Sequence, residues 1–494
     1  MRFVVRIAGC ALLTAGVLGQ SPTAKPAPDA IAVRRYLDAH QQELTTRFSA
    51  LLAIPNLAAD TPNIERNAAA IEALYQAAGV HTELLRLPGA PPVVYGTLDA
   101  PGPGPRPTIT FYAHYDGQPT RAADWRIPPF QPAVHDGRIW ARSAGDDKAA
   151  VFGFAAALEA LRASHMAPSV NLRFFLEGEE EAGSPHLAAY LRTYANQLHT
   201  DAWILCDGPA HQSGRMQVFF GARGVTDMDI TVYGPNRALH DGHYGNWAPN
   251  PIAMLTRLLA GMRDDNARIL IPGFYQDVRP LSAADRAAIA ALPPYDATLA
   301  GILGLGHTEN APATLAEQIA QPALNIRGFQ GGFVGSAAAN AIPTQAEASL
   351  DFRLVPDQTP EHVQAEVEDY MRRQGYFLVR TPPDDATRRA HPKVALVVWG
   401  AGYPPARVRL DSPISYLVTS LVERALGNRI VQLPIMGGSI PMYLFQGGEN
   451  TPVIGVPIAN FDDNQHAANE NLRLDYLWNG IVVYASLFHN LGGQ

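Results

Sequence analysis

Between residues 108 and 206, short apolar runs alternate with long helical patterns, and this order constrains the fold more than any other feature. The runs are TITFYA (108–113), VNLRFFL (170–176) and DAWILC (201–206). KAAVFGFAAALEALRAS precedes the second run and HLAAYLRTYANQL follows it, each with apolar residues at helical spacing. Strand, helix, strand is the pattern of a parallel crossover. Runs that are apolar throughout are buried on both faces. The predicted fold class is therefore α/β, a mostly parallel sheet with helices on both faces.

The texture then changes. GVTDMDITVYG (224–234), PTQAEASLDFRLVP (343–356) and VALVVWG (394–400) alternate in the manner of open antiparallel strands. PNPIAMLTRLLAGMRD and PEHVQAEVEDYMRRQG between them read as helices. After residue 402 the α/β character returns in SYLVTSLVERALG, RIVQLPIMG, TPVIGVPI and LDYLWNGIVVYASLFHNL. A chain of 494 residues exceeds one ordinary core. The expected division is a leader and linker (1–28), an α/β domain in two parts (29–219 and 403–494) and an inserted α+β domain (220–402).

Every apolar run in the first half ends in acids or a histidine. TITFYA runs into His114 and Asp116, VNLRFFL into Glu177, Glu179, Glu180 and Glu181, and DAWILC into Asp207. Ligands of parallel α/β sheets bind outside the carboxyl ends of the strands. Asp146-Asp147, before a helix start, and His466, in a polar loop after PVIGVPI, add two more segments. Taken singly, each has an ordinary explanation: a helix cap, a core histidine, a turn aspartate, a surface histidine, a charged face. Five such segments at element ends together point to a site. Carboxylates with imidazoles suit zinc or manganese rather than a thiolate structural site.

Charge and cysteine usage narrow the partners. A net charge of −8 argues against nucleic acid or an anionic membrane as partner. Arg2 and Arg6, an apolar stretch from about Ile7 to Leu18, and Gly19 and Ala24 read as a secretory leader. That reading predicts an exported protein, periplasmic or secreted, with no transmembrane segment in the mature chain. IAGC around Cys10 resembles a lipoprotein cleavage box, but too little apolar sequence precedes it. With Cys10 in the leader, Cys206 is left alone as a buried strand thiol and no intrachain disulfide forms.

YAHYDGQP, DDK, EGEEEAGS, LCDG and DDNQHAANE occur in this order. Together they resemble the di-zinc metallopeptidases that include carnosinases, bacterial dipeptidases, glutamate carboxypeptidase and aminoacylases. RALHDGHYGNWAPNP, RLVPDQTPEHV and GGSIP extend the likeness and resemble the dipeptidase branch most. The resemblance implies two Zn2+ per chain, with Mn2+ or Co2+ as substitutes. His114 and Asp207 would hold one metal, Glu181 and His466 the other, and Asp146 would bridge them. Asp116 would orient His114, and Glu180 would be the general base. It also implies a cis peptide after Asp146 and a homodimer formed through the insert, which would serve as a lid. There His240, given by the partner subunit, would meet the developing oxyanion together with Asn340. Arg353 and Ser439 would hold the substrate carboxylate.

Some positions depart from the family pattern. Ala141, Ser143 and Ala149 stand where relatives often carry glycine around the bridging aspartate. Ser412 in LDSPIS stands where carnosinases place a substrate-binding histidine, which argues against carnosine-type specificity. The expected activity is that of an exopeptidase, of dipeptidase or carboxypeptidase type. An amidohydrolase acting on N-acyl amino acids would use the same machinery. A binding protein on a retired hydrolase fold would have lost ligands or the base, and here the full set is present.

Overall fold

The computed structural model describes residues 25–447 and 451–493. The leader-like segment, with Cys10, lies outside the described residues. Eight strands form a sheet in the order His81–Leu85, Val93–Leu98, Asn171–Glu177, Thr108–His114, Ala202–Leu205, Val453–Gly455, Gln217–Phe219, Val431–Leu433. The central four, Asn171–Glu177 to Val453–Gly455, are mutually parallel. His81–Leu85 and Val93–Leu98 join antiparallel at one side.

The continuous apolar runs are explained by burial on both faces. Neighbouring residues on a strand point to opposite sides. Phe111 and Phe174 pack under the helices Pro28–Leu52, Lys148–Ala163 and Leu474–Asn490, while Tyr112 and Phe175 pack on the other face with Tyr190 and Phe445. The helix Lys148–Ala163 has no polar stripe because nearly all of it is buried between the sheet and its helical neighbours.

A second sheet of five strands has the order Ala323–Gln330, Gln345–Leu354, Gly224–Tyr233, Val394–Trp399, Phe377–Val379. All its pairings are antiparallel except the last. Met228, Ile230 and Val232 turn inward against the helices Pro251–Ala260 and Pro360–Arg373, and Asp229 and Thr231 between them turn outward. One covered face and one open face produce the alternation read from the sequence. Ala323–Gln330 escaped that reading because its residues from Asn325 to Gln330 are all exposed and show no inward periodicity. No helix among the described residues is long and apolar enough to cross a membrane.

Candidate metal centre

Four neighbouring parallel strands deliver the site. Glu180 and Glu181 follow Asn171–Glu177, His114 ends Thr108–His114, Asp207 follows Ala202–Leu205, and His466 lies in the loop after Val453–Gly455. Asp146 comes from the loop before Lys148–Ala163. Two groups of side chains result, His114–Asp146–Asp207 and Asp146–Glu181–His466, and within each the ligating atoms lie within 4.8 Å of one another. Asp146 belongs to both. Its Oδ1 is 2.9 Å from His114 Nε2, and its Oδ2 is 3.1 Å from His466 Nε2. His466 Nε2 is also 3.1 Å from Glu181 Oε2. Glu180 Oε2 stands 4.0 Å from His114 Nε2.

The acidic run can serve one site because the chain leaves the strand inside it. Glu180–Ala182 is a short 3₁₀ turn closed by Gly183 at φ 88°. Gly178 is needed because a Cβ there would meet Tyr115 Oη at 2.5 Å. Asp116 holds the turn by accepting the backbone N–H groups of Glu180 and Glu181, each at 3.0 Å. Its Oδ1 faces His114 Nδ1 at 3.4 Å without closing a hydrogen bond. Of the other two acids, Glu177 accepts from Tyr112 Oη at 2.7 Å, and Glu179 accepts the His186 backbone N–H at 3.0 Å.

The loop around Asp146 depends on a residue the sequence reading did not single out. Glu470 is fully buried and accepts the backbone N–H groups of Ser143, Gly145 and Asp146 at 2.9, 3.1 and 3.0 Å. It also receives Arg142 Nη1 at 2.7 Å. Ser143, where relatives often carry glycine, sits at φ 62°. The Asp146–Asp147 peptide is cis. Glu470 follows His466 by four residues, so it ties the His466 loop to the Asp146 loop. Gln465 Nε2 donates to Asp146 Oδ2 at 2.7 Å, and Gln118 Nε2 donates to Glu181 Oε2 at 2.8 Å. The only local signal for Glu470 was its place at the end of DDNQHAANE. Its partners lie more than 300 residues away, which composition and spacing do not register.

The electrostatics test whether cations suit these residues. Burial, then Asp146, pushes the Asp207 carboxyl up to about 7. Burial, then Asp207 and Asp146 against the pull of His114, pushes Glu180 well above the usual carboxylate range. Burial opposes charge on Asp146 as well, but His114 and His466 hold it low. Hydrogen bonds donated to Asp146 and Glu181 raise His466 to about 10. The protein side of the cluster is thus a crowd of buried carboxylates that draws positive charge from any neighbour. Oxygen and imidazole donors in two groups sharing one carboxylate fit a pair of divalent cations.

The remaining sequence-predicted residues divide. Ser439 lines the same cavity as Asp146, Glu180, Asp207 and His466, and Arg353 Nη1 donates to Ser439 Oγ at 2.8 Å. His240 and Asn340 do not line it. They belong to the small ribbon where Leu239–His240 pairs with Ala341–Ile342, and the His240 side chain is 55% exposed. Cys206 is a buried free thiol.

Residues 110–490 match the model of peptidase family M20/M25/M40. The chain is 26% identical to a Cys-Gly metallodipeptidase of Schizosaccharomyces pombe, over 92% of this chain and 97% of that one. It is 24% identical to the Beta-Ala-His dipeptidase of Mus musculus, over 93% and 95% of the two chains. Among solved structures, an M20 family metallo-carboxypeptidase from Sulfolobus solfataricus superposes with a TM-score of 0.74 at 25% identity, covering 90% of this chain and 98% of that one. These matches correct the expectation of export. The curated dipeptidase relatives, from yeasts and mammals, are cytosolic or otherwise non-periplasmic enzymes. The leader-like composition of residues 1–24 was the sole support for a periplasmic or secreted enzyme, and that expectation is withdrawn.

Proposed function

The chain belongs to peptidase family M20/M25/M40, whose members hydrolyse peptide bonds, and on that premise we propose that it is a di-metal dipeptidase acting next to a free carboxylate. One observation carries the reading: two three-residue donor groups share Asp146, with Glu180 beside them in an open cavity. His114 and Asp207 would hold one ion, Glu181 and His466 the other, and Asp146 both. Zinc suits the mixed imidazole and carboxylate donors, and manganese or cobalt would substitute. When bound, such ions lower the pKa of water and polarise a carbonyl oxygen.

The chain's own groups supply the proton transfers and the orientation. Glu180 takes the proton from the attacking water and returns it to the leaving nitrogen. Ionisation of Glu180, which its buried acidic neighbours oppose, becomes favourable once dications balance them. Asp116 keeps Glu180 and Glu181 in register with His114 through its two backbone contacts. The Arg353 guanidinium, already oriented by Asp351 at 2.8 Å and by Ser439, is the group for a substrate carboxylate. His240 and Asn340 are assigned to the oyxanion side, contributed by the partner of a homodimer. Support for the dimer is the exposure of Trp247 (79%), Phe333 (76%) and Val334 (87%) in the same segment, 220–402, which would form the lid and dimerisation domain.

The test is a panel of free dipeptides and the corresponding N-acetyl amino acids, with zinc-loaded protein whose metal content is counted. Two metals per chain with hydrolysis of free dipeptides is the expected result. Cleavage of the acylated compounds alone would make the protein an amidohydrolase instead.

A further inference from the structure

The cavity at the metal centre is far larger than the cluster needs. It measures about 860 Å³ and extends from Asp146 and Glu180 to a wall that none of the matched motifs contains. That wall comes from the helices Ala283–Ala290, Asp296–Ile302 and Leu315–Ile319 and their connections. Ile289, Leu292, Ile319 and Ile435 form a small apolar cluster that fastens this segment to the end of the large sheet. Tyr295, Leu299 and Met436 continue the apolar lining into the cavity.

The polar groups on this far wall are already engaged. Asp296 Oδ2 accepts the Leu315 backbone N–H at 2.7 Å. Glu317 closes the capping box of its own helix by accepting from the Thr314 backbone N–H, also at 2.7 Å. Gln217 Nε2 donates to the Pro209 carbonyl at 2.6 Å, and His211 Nδ1 sits 2.9 Å from Ser213 Oγ. Burial lowers the His211 pKa, which keeps that ring neutral. The far wall thus keeps two carboxylates, each spent on a backbone N–H of its own segment, and the surface around them, from Ile289, Leu292, Tyr295, Leu299 and Ile319, is apolar. Pockets of about 300–1,000 Å³ accommodate drug-sized ligands. A dipeptide of two small residues would leave most of this one unfilled.

We infer that the cavity selects substrates with a bulky, uncharged apolar side chain, which packs against the wall formed by residues 289–319 while the scissile bond lies at the metal centre. The inference rests on the peptidase reading above and deepens it by naming the substrate class. Binding gains from each buried methylene, so discrimination against glycine-sized groups should be large.

The experiment compares kcat/KM for Leu-Leu and Gly-Gly, and for N-acetylleucine and N-acetylglycine, in the zinc-loaded parent and in Leu299→Asn and Leu315→Asn. These two leucines stand on different helices, and thermal melts identify a variant that has not folded. The expected result is a Leu-Leu preference of at least about tenfold, falling severalfold in each folded variant. A Leu-Leu to Gly-Gly ratio near one in the parent, or a ratio unmoved in both variants, would overturn the inference and leave the dipeptidase reading intact. Cleavage of the N-acetyl compounds alone, with leucine preferred, would sink the dipeptidase reading while upholding the apolar wall. No cleavage of any of the four would refute both.

Discussion

The edge of the large sheet and the ribbon carrying His240 differ in how complete they are within one chain. At the sheet edge, His114, Asp146 and Asp207 are at most 7% exposed, and Asp146 is held by His114 and by Gln465 from two other segments. On the ribbon, the His240 side chain is 55% exposed; its imidazole Nδ1 accepts the nearby Gly242 backbone N–H at 3.1 Å. Buried charge demands partners, so the first region is rigidly specified by the chain's own fold. Exposure alone does not set His240 apart, since the His466 side chain is 54% exposed; the difference is that His466 reaches Asp146 and Glu181 at 3.1 Å while His240 does not line their cavity. The donor groups and Glu180 are thus brought together within the single chain, whereas the His240 ribbon lies away from their cavity, and the oxyanion role proposed for it needs a second subunit.

The largest expected effect tests the complete region. Glu180→Gln should lower kcat by about 10³–10⁴-fold, the range of a positioned acid–base group, with two metals still bound by elemental analysis. Lost metal would mean that Glu180 is a ligand rather than a proton carrier. Next, His240→Ala should cost about 10²–10³-fold in kcat, as removal of an oxyanion donor does, again at full metal content. Mixing it with Glu180→Gln should restore activity if the histidine crosses between subunits, and no recovery would make the ribbon's role internal. A smaller effect is expected where the two loops are tied together. Glu470→Gln keeps the volume but leaves Arg142 buried without its counter-charge, and should weaken zinc affinity by about 10–100-fold. Titration of zinc into the metal-free protein against a chromophoric chelator reads this directly. Unchanged affinity would show that the Asp146 loop supports itself.

The smallest effect concerns stability at the same edge. Burial pushes the Glu177 carboxyl up to about 8, and its Oε1 has no partner. Its folded pKa lies above the unfolded value of about 4.3, so the folded protein binds this proton more tightly. That contribution is fully present below about pH 4 and is lost as pH rises through about 8. Glu177→Gln should therefore stabilise the metal-free protein above pH 8, on the order of 1–2 kcal/mol, and change little at pH 5. Thermal melts at the two pH values decide it, and equal shifts at both would show that Glu177 does not titrate in this range.

Much of this was legible in the order of residues. The buried strands of the large sheet announced themselves as unbroken apolar runs, and the antiparallel strands of the second sheet as alternation, because each pattern follows from how many faces are covered. The acids and histidines at the strand ends were visible because a parallel sheet sends its functional groups to one edge. Glu470 was not legible: nothing local distinguishes an acid that anchors a loop from one that faces water. Ala323–Gln330 was missed for the opposite reason, since an exposed edge strand has no apolar face to reveal it.

The sequence by itself determined the α/β class, the alternation of two sheet types, and the five segments bearing donor groups. These depend on local chemistry and on periodicity, both of which a chain carries in its order. Only the tertiary structure decided that Asp146 stands between two histidines, that Glu470 joins loops far apart in the chain, and that residues 289–319 close an apolar wall over the cavity. Those features arise from which distant segments pack together, and packing depends on shape and burial that no short stretch encodes.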